Sequence, residues 1–207
     1  MDTTLQRQKT SISFEEYMKC TDEDSDTEWV RGEIVPMSPV SGLHQDVSKF
    51  LMFVLDEYVL DHNLGTVRYE RFTMRLGSVP SAREPDILFV SNSNLSRLTE
   101  TFVDGPADLV VEVVSLESRE RDRKDKFREY EQGGVQEYWL IDPTRQEADF
   151  YLLGEDGLYS PQPIDDDGFY RSRELAGFRI RPEWLWQDPL PRLRDILAHA
   201  RRPAEKQ

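Results

Sequence analysis

Apolar residues recur at helical spacing in one long segment of the chain. Between residues 41 and 63 they follow intervals of three and four positions, at Leu43, Val47, Phe50, Leu51, Val54, Leu55 and Tyr58. This spacing gathers them on one face, so the sequence predicts a long amphipathic α-helix here. Shorter helices are predicted in "SISFEEYMKC", where Ser13 can cap the N-terminus, and in "LPRLRDILAHA" near the end of the chain.

Beyond Gly65 the pattern changes to short apolar runs that are typical of β-strands. "TVRYERFTMRL", "PDILFV" and "DLVVEVVS" come first, and "VQEYWLIDP" and "ADFYLLG" follow. Between the two sets, "SRERDRKDKFREYEQG" predicts a helix that begins at Ser118 and ends at Gly133 and Gly134. An earlier hairpin is predicted in "WVRGEIVPMSP". This order predicts an α/β layer fold around a mixed sheet. We expect residues 1–207 to form one domain, with 144–207 supplying C-terminal strands and a helix.

The composition argues against several classes of protein. The formal net charge of −14 argues against a protein that coats nucleic acid without specificity, although residues 117–128 carry six bases against four acids. No apolar run approaches the roughly 20 residues that cross a bilayer, and the first residues hold no apolar signal core, so we expect a cytoplasmic protein. Cys20 is the only cysteine, which excludes an internal disulfide and a multi-cysteine metal site.

A carboxylate interrupts the most apolar strand, "LVVEVVS". Alternate side chains of a strand face opposite sides, so Glu112 shares an otherwise apolar face with Val110 and Val114. An isolated ionised carboxylate in such surroundings costs several kcal/mol. Glu112 must therefore be protonated, paired with a cation or bound to a metal.

A second acid, Asp86, stands at the start of the neighbouring strand "ILFV". Carboxylates on two adjacent strands can hold a hard cation such as Mg²⁺ or Mn²⁺. In the next helix, Asp122 and Lys126 stand four positions apart on one face, which suits an ion pair or an ammonium group above a metal. The structural alternative is an ordinary buried pair of Glu112 with Lys126 or Arg128. Phosphate-loop, dinucleotide, zinc-peptidase and serine-hydrolase motifs are absent from the sequence.

Four blocks together resemble a known family. "RGEIVPMSP…H", "EPDILFV", "DLVVEVVS" and "RDRKDKFREYEQGGVQEYWLIDP" are similar to the Uma-type family of restriction-endonuclease-like proteins, in the PD-(D/E)XK nuclease superfamily. The resemblance runs from about Trp29 to Pro143. It implies a restriction-endonuclease-like α/β fold, with a mixed central sheet flanked by helices. It also implies that Asp86 is the aspartate of the PD element and Glu112 the acid of the (D/E)XK element.

The lysine of that element has no counterpart at its usual place, because Val114 stands two residues after Glu112. The resemblance implies that a lysine of the next helix replaces it, with Lys126 the best match and Lys124 the second. Asp122 is then expected to orient Lys126.

The implied activity is metal-assisted hydrolysis of phosphodiester bonds. Asp86, Glu112 and the backbone carbonyl of Val113 would bind Mg²⁺ or Mn²⁺, which lowers the pKa of a bound water. Lys126 would orient this water or offset charge in the transition state.

Two further residues match the family upstream, Glu33 as its acidic position and His44 as its histidine. His44 would contact the water shell of the metal or a substrate phosphate. The resemblance implies a DNA endonuclease, and we expect a homodimer because two sites related by symmetry cut both strands. The alternative is a catalytically inactive nuclease-like scaffold that binds nucleic acid or a protein partner. The valine at position 114 and the acidic net charge favour this alternative.

Overall fold

The computed structural model describes residues 11–21, 25–115 and 121–200, except for the side chains of 198–200. The α-helices are α1 (Phe14–Cys20), α2 (Gly42–His62), α3 (Phe127–Gly133) and α4 (Leu193–Ala200). A π-helical turn at Arg121–Lys126 leads directly into α3, and 3₁₀ turns occupy Asn92–Arg97 and Pro182–Trp186. Within the described ranges, no helix combines the length and the apolar character that crossing a bilayer requires.

The strands are short and numerous. They are β1 (Thr27–Val30), β2 (Glu33–Pro36), β3 (Gly65–Tyr69), β4 (Thr73–Arg75), β5 (Ser81–Arg83), β6 (Ile87–Ser91), β7 (Phe102–Asp104), β8 (Leu109–Val113), β9 (Glu137–Asp142), β10 (Glu147–Leu153), β11 (Tyr159–Pro161), β12 (Tyr170–Arg171) and β13 (Arg179–Ile180).

Most strands belong to two sheets. One has the order β2-β1-β5-β4-β7, and the other has the order β11-β10-β9-β8-β6-β3, while β12 pairs with β13. Both sheets are mixed, because β8 and β9 run parallel and so do β4 and β7, whereas their other pairings are antiparallel. Mixed sheets with flanking helices confirm the predicted α/β fold class.

Strand β8 separates two apolar clusters. Leu109, Val111 and Val113 pack with the apolar face of α2. Val110, followed by Val114, packs on the opposite side in a cluster that includes α3. The predicted alternation is confirmed, and it leaves Glu112 facing the cluster beneath α3.

Local signals placed several elements correctly. Ser13 caps α1 as predicted: its hydroxyl accepts from the Glu16 N–H at 3.1 Å, and the Glu16 carboxylate accepts from the Ser13 N–H at 2.8 Å. The predicted hairpin forms between β1 and β2, and its turn has positive φ at Arg31 (52°) and Gly32 (83°). The long helix α2 is capped by Ser41, which fixes the direction of its first turn.

The prediction of one strand through "TVRYERFTMRL" is wrong. The chain leaves the sheet of β3 at Arg71, which has the left-handed φ of 64°, and continues as β4 in the other sheet. The Glu70 N–H donates to the Asp86 carbonyl at 3.1 Å, so the break lies beside the start of β6. The short strands β5 and β7 were not predicted.

The charged helix ends as predicted. Gly134 adopts the left-handed conformation, with φ of 88°, and its N–H caps the helix. The predicted start at Ser118 lies outside the described residues. The described part opens with a π-helical turn rather than an α-helical one, and this wider turn ends at Lys126.

Candidate active site

Glu112 is held by two donors from the charged helix. It is 3% exposed, and its Oε1 accepts hydrogen bonds from Lys126 Nζ at 2.8 Å and from the Tyr130 hydroxyl at 2.6 Å. Burial raises the pKa of Glu112 to about 8; the ammonium of Lys126 opposes this rise, and the Asp86 and Asp122 carboxylates add to it. The acid of the apolar strand is therefore paired with a cation and also shifted toward its protonated form.

Lys126 lies among several acids although it is 4% exposed. Besides Glu112, its Nζ lies 3.4 Å from Glu28 Oε1 and 3.7 Å from Asp122 Oδ1. Burial alone would lower the pKa of Lys126, but these carboxylates raise it above its ordinary value, so the ammonium stays charged. Lys124, the second candidate, is exposed.

Glu28 is the acid that the sequence analysis missed on this side of the site. It is fully buried in β1 and accepts from Arg83 at 2.8 Å, while Arg83 also donates to Glu129 at 2.8 Å. Burial opposes ionisation of Glu28, but Lys126 and Arg83 outweigh it and lower its pKa to about 2. These ion pairs connect the hairpin of β1 and β2 to α3 and keep Glu28 close to Lys126.

Asp86 is joined to two other elements. Its Oδ2 accepts from the Val113 N–H at 2.6 Å and lies 3.2 Å from His44 Nε2. His44 occupies the first turn of α2, and its Nδ1 lies 3.4 Å from the Ser48 hydroxyl. Burial lowers the pKa of His44, but the hydrogen bond and the negative charge of Asp86 raise it above its ordinary value overall. The helix start, β6 and β8 thus meet at Asp86.

Two more acids, Glu70 and Glu84, lie near Asp86. The ligand atoms of Glu70, His44 and Asp86 all lie within 4.8 Å of one another. Glu84 Oε1 accepts from the Thr73 hydroxyl at 3.3 Å, whereas its buried Oε2 has no hydrogen-bond partner among the described residues. Burial raises the pKa of Glu84 to about 7. Glu84 stands next to the PD element, in "EPD", and that proximity was the one sequence signal that could have identified it.

These groups surround a small cavity of about 60 Å³. Its charged lining residues are His44, Glu84, Asp86, Glu112, Arg121, Asp122 and Lys126. Glu33 lies on β2 and is not part of the described lining; the acid of this hairpin that reaches Lys126 is Glu28. Two wider clefts, of about 370 and 270 Å³, also reach Asp86 and Glu70.

The donor set fits a divalent cation. Asp86, Glu112 and Glu84 place three carboxylates around one cavity, and one buried oxygen of Glu84 lacks a partner among the described residues. Carboxylate oxygens are the ligands that Mg²⁺ and Mn²⁺ prefer, and a bound cation favours the ionised form of acids whose pKa is raised by burial. The pairing of Asp86 with the backbone of Val113 brings it to the end of β8, where Glu112 lies.

The family follows from a match that spans most of this structure. Residues 14–183 match the family model "Uma2: Putative restriction endonuclease". The chain belongs to the Uma2 family. The matched range contains β1 to β13 and every residue proposed above for the site.

The Uma2 fold is shared with a solved structure described as "a putative nuclease belonging to DUF820 from Anabaena variabilis ATCC 29413". The two chains are 18% identical, with a TM-score of 0.69 over 84% of this chain and 97% of that chain. The type IIG restriction endonuclease BpuSI also matches, at 16% identity and a TM-score of 0.36 over 79% of this chain and 18% of its own, a likeness too low to support an argument. Among curated proteins, none matches the chain.

Proposed function

We propose that this Uma2 protein is a Mg²⁺-dependent DNA endonuclease that also accepts Mn²⁺. The observation that carries the proposal is the meeting of Asp86, Glu112 and Lys126 at one cavity, although 14 residues separate the last two and 26 separate the first two. The family description and the fold support a nuclease. The choice of ion and of DNA rests on the chemistry of the donors and on the family resemblance.

Asp86, Glu112 and the Val113 carbonyl would hold the cation. When bound, the ion polarises the phosphate and lowers the pKa of a bound water. Lys126 keeps its proton and is aimed by Glu28 and Glu112, so its ammonium can orient the water or offset charge on the phosphate.

Asp122 and His44 have positioning roles in this proposal. Asp122 lies 3.7 Å from the Lys126 ammonium and helps to orient it. His44 is held beside Asp86 at the start of α2, where it can contact a substrate phosphate or the water shell of the cation. Lys124, which is exposed, and Glu33, on β2, are supporting residues in this proposal.

DNA is the proposed substrate, and two copies of the chain would place two cutting sites on opposite strands. The proposed setting is the cytoplasm, where the free thiol of the exposed Cys20 stays reduced.

Cleavage of plasmid DNA tests the proposal, with Mg²⁺, with Mn²⁺ and with a chelator. Lys126→Ala should lower the cleavage rate at least about 100-fold, because it removes a charge aimed at the reacting phosphate. Lys124→Ala is the matched comparison: it removes an exposed lysine two residues away and should lower the rate far less than Lys126→Ala. Equal rates for the two variants, or cleavage that persists in chelator, would contradict the proposal.

A second candidate function is the non-catalytic scaffold. It is favoured by one observation: Lys126 and Tyr130 already satisfy Glu112 Oε1 without any metal. A scaffold of this kind would bind DNA or a protein with unchanged affinity in chelator, and wild-type protein would cut neither plasmid nor single-stranded DNA in Mg²⁺ or Mn²⁺.

A further inference from the structure

A second cation lines the cavity that holds Lys126. Arg121 belongs to the same lining, although it precedes the lysine by five positions. In a regular α-helix, two residues five positions apart point about 140° away from each other. Both residues lie in the π-helical turn, whose wider repeat joins residues five positions apart by hydrogen bonds. The irregular turn therefore lets both cations reach one cavity.

Lys126 has little capacity left to bind a substrate directly. Its buried Nζ lies 2.8 Å from Glu112, 3.4 Å from Glu28 and 3.7 Å from Asp122. An ammonium has three N–H donors, and three carboxylates compete for them here. The charge of Lys126 still acts on the cavity, but a phosphate oxygen could accept a hydrogen bond from it only in place of one of these acids.

Arg121 has donors to spare. Its side chain is 25% exposed, and its ion-pair contact among the described residues is the long one from Nε to Asp122 Oδ1, at 4.0 Å. Nε is buried and has no hydrogen-bond partner within the described part of the chain. A guanidinium carries five N–H donors in a planar fork, which matches the oxygens of a phosphate. Leaving such donors unpaired is costly, so they favour an anionic ligand.

The acidic lining of the cavity makes a second cation necessary for such a ligand. Four acids of the lining would repel a phosphate: Glu84, Asp86, Glu112 and Asp122. Burial opposes ionisation of Glu28, and the positive charge of Arg121 is one of those that lower its pKa. The guanidinium thus lies within electrostatic range of the buried acids and offsets part of their charge.

We propose that Arg121 binds a backbone phosphate of the substrate beside the cavity, while Lys126 stays with the acids. The ligand is a phosphodiester anion, and Arg121 is the residue that holds it in place. The inference rests on the proposed DNA substrate, and its test therefore measures binding instead of cleavage. If Arg121 only balanced the charge of Asp122, its loss would change stability and leave the salt dependence of DNA binding unchanged.

Fluorescence anisotropy of a short labelled DNA duplex tests the proposal, at a series of salt concentrations, with Ca²⁺ and with a chelator. Ca²⁺ takes oxygen ligands as Mg²⁺ does. Arg121→Ala should weaken binding about tenfold, because a hydrogen-bonded charge is lost. It should also reduce the magnitude of the slope of log affinity against log salt by about 0.9, the contribution of one phosphate contact.

Two further variants control this experiment. Arg121→Lys keeps the charge, so its slope should equal that of the wild type, while binding weakens because an ammonium lacks the planar fork. Arg97→Ala removes a partly exposed arginine that donates to the Pro106 carbonyl, near the end of β8 opposite to Glu112. It should leave both the affinity and the slope unchanged.

Different results separate this proposal from the nuclease. A smaller slope for Arg121→Ala, without DNA cleavage by the wild type, would support the phosphate contact and contradict the nuclease. Equal slopes for the wild type and Arg121→Ala would overturn the contact even if the protein cuts DNA, and so would a wild type that binds no DNA in either condition. Should Arg121→Ala not fold, Arg121→Lys decides: an affinity equal to that of the wild type would overturn the contact.

Discussion

Two buried glutamates on adjacent parallel strands differ in the number of hydrogen-bond donors around them. Glu137, at the start of β9, is fully buried and accepts from five donors: Trp139 Nε1, the Tyr170 and Ser172 hydroxyls, and the N–H groups of Arg173 and Glu174, at 2.6–3.0 Å. Glu112, in β8, accepts from Lys126 and Tyr130, and both donors use Oε1.

The difference separates a structural acid from the acid that we propose as a ligand of the cation. Both oxygens of Glu137 are fully engaged by side chains and backbone of the same fold, so this acid has little capacity left for a ligand. Glu112 lines a cavity together with Asp86, and both of its donors in the described structure use the same oxygen, Oε1. Burial of an acid in a strand is therefore weak evidence of function, and the number and direction of its donors are stronger evidence.

The largest expected difference is in stability. Glu137→Gln should lower the free energy of unfolding by about 3 kcal/mol, because an amide cannot accept from all five donors. Glu112→Gln should cost less, because the amide oxygen can still accept from Lys126 and Tyr130, the two donors of Glu112 in the described structure. Urea unfolding of both variants measures this, and equal losses would remove the distinction between the two acids.

A third buried acid, Glu28, extends the comparison, because its effect on the free energy of unfolding should depend on pH. The pKa of Glu28 is about 2 in the folded protein, below its ordinary value of 4.5, so its stabilising effect is present above pH 4.5 and is lost as the pH falls toward 2. Between about pH 5 and pH 3 this group should account for about 2 kcal/mol of lost unfolding free energy.

Glu28→Gln provides the control for that experiment. Its unfolding free energy should fall less steeply over the same acid range than that of the wild type, since the titrating group is gone. Parallel pH profiles for wild type and variant would show that Glu28 is not the group responsible.

The smallest expected effects come from removing one hydroxyl beside each acid. Tyr170→Phe should lower the free energy of unfolding by about 1 kcal/mol and leave DNA cleavage unchanged. Tyr130→Phe should have a similar effect on stability but also slow cleavage, because its hydroxyl orients Glu112. If neither variant changes cleavage while Lys126→Ala does, Tyr130 has a purely structural role.

Much of the fold could be predicted because its signals are local. The apolar spacing of α2, the cap at Ser13 and the alternation in β8 each depend on a few neighbouring residues. The transfer of the chain between sheets at Arg71 could not be predicted, because strand pairing depends on distant segments. The strands β5 and β7 have three residues each, too few for a periodic pattern.

Residues of the candidate site could be proposed from the sequence where an acid broke an apolar pattern or matched a family block. Glu112 and Asp86 were identified in this way, Lys126 was identified by its spacing from Asp122 and by the family resemblance, and His44 by the resemblance. Glu28, Glu70 and Glu84 lie in polar surroundings in the sequence, where an acid is usually exposed. The burial of Glu28 results from Arg83 and α3, which approach it from distant parts of the chain.

The π-helical turn before α3 limits how this segment of the chain can be redesigned. Replacing the turn by a regular α-helix is a natural way to idealise the segment. A π-helical turn holds more residues per turn than an α-helix, so the same residues in α-helical form would change the angle between Asp122 and Lys126. A redesigned chain could thus become more regular while its lysine loses the acid that helps to aim it. In this segment, irregular geometry is a property to preserve.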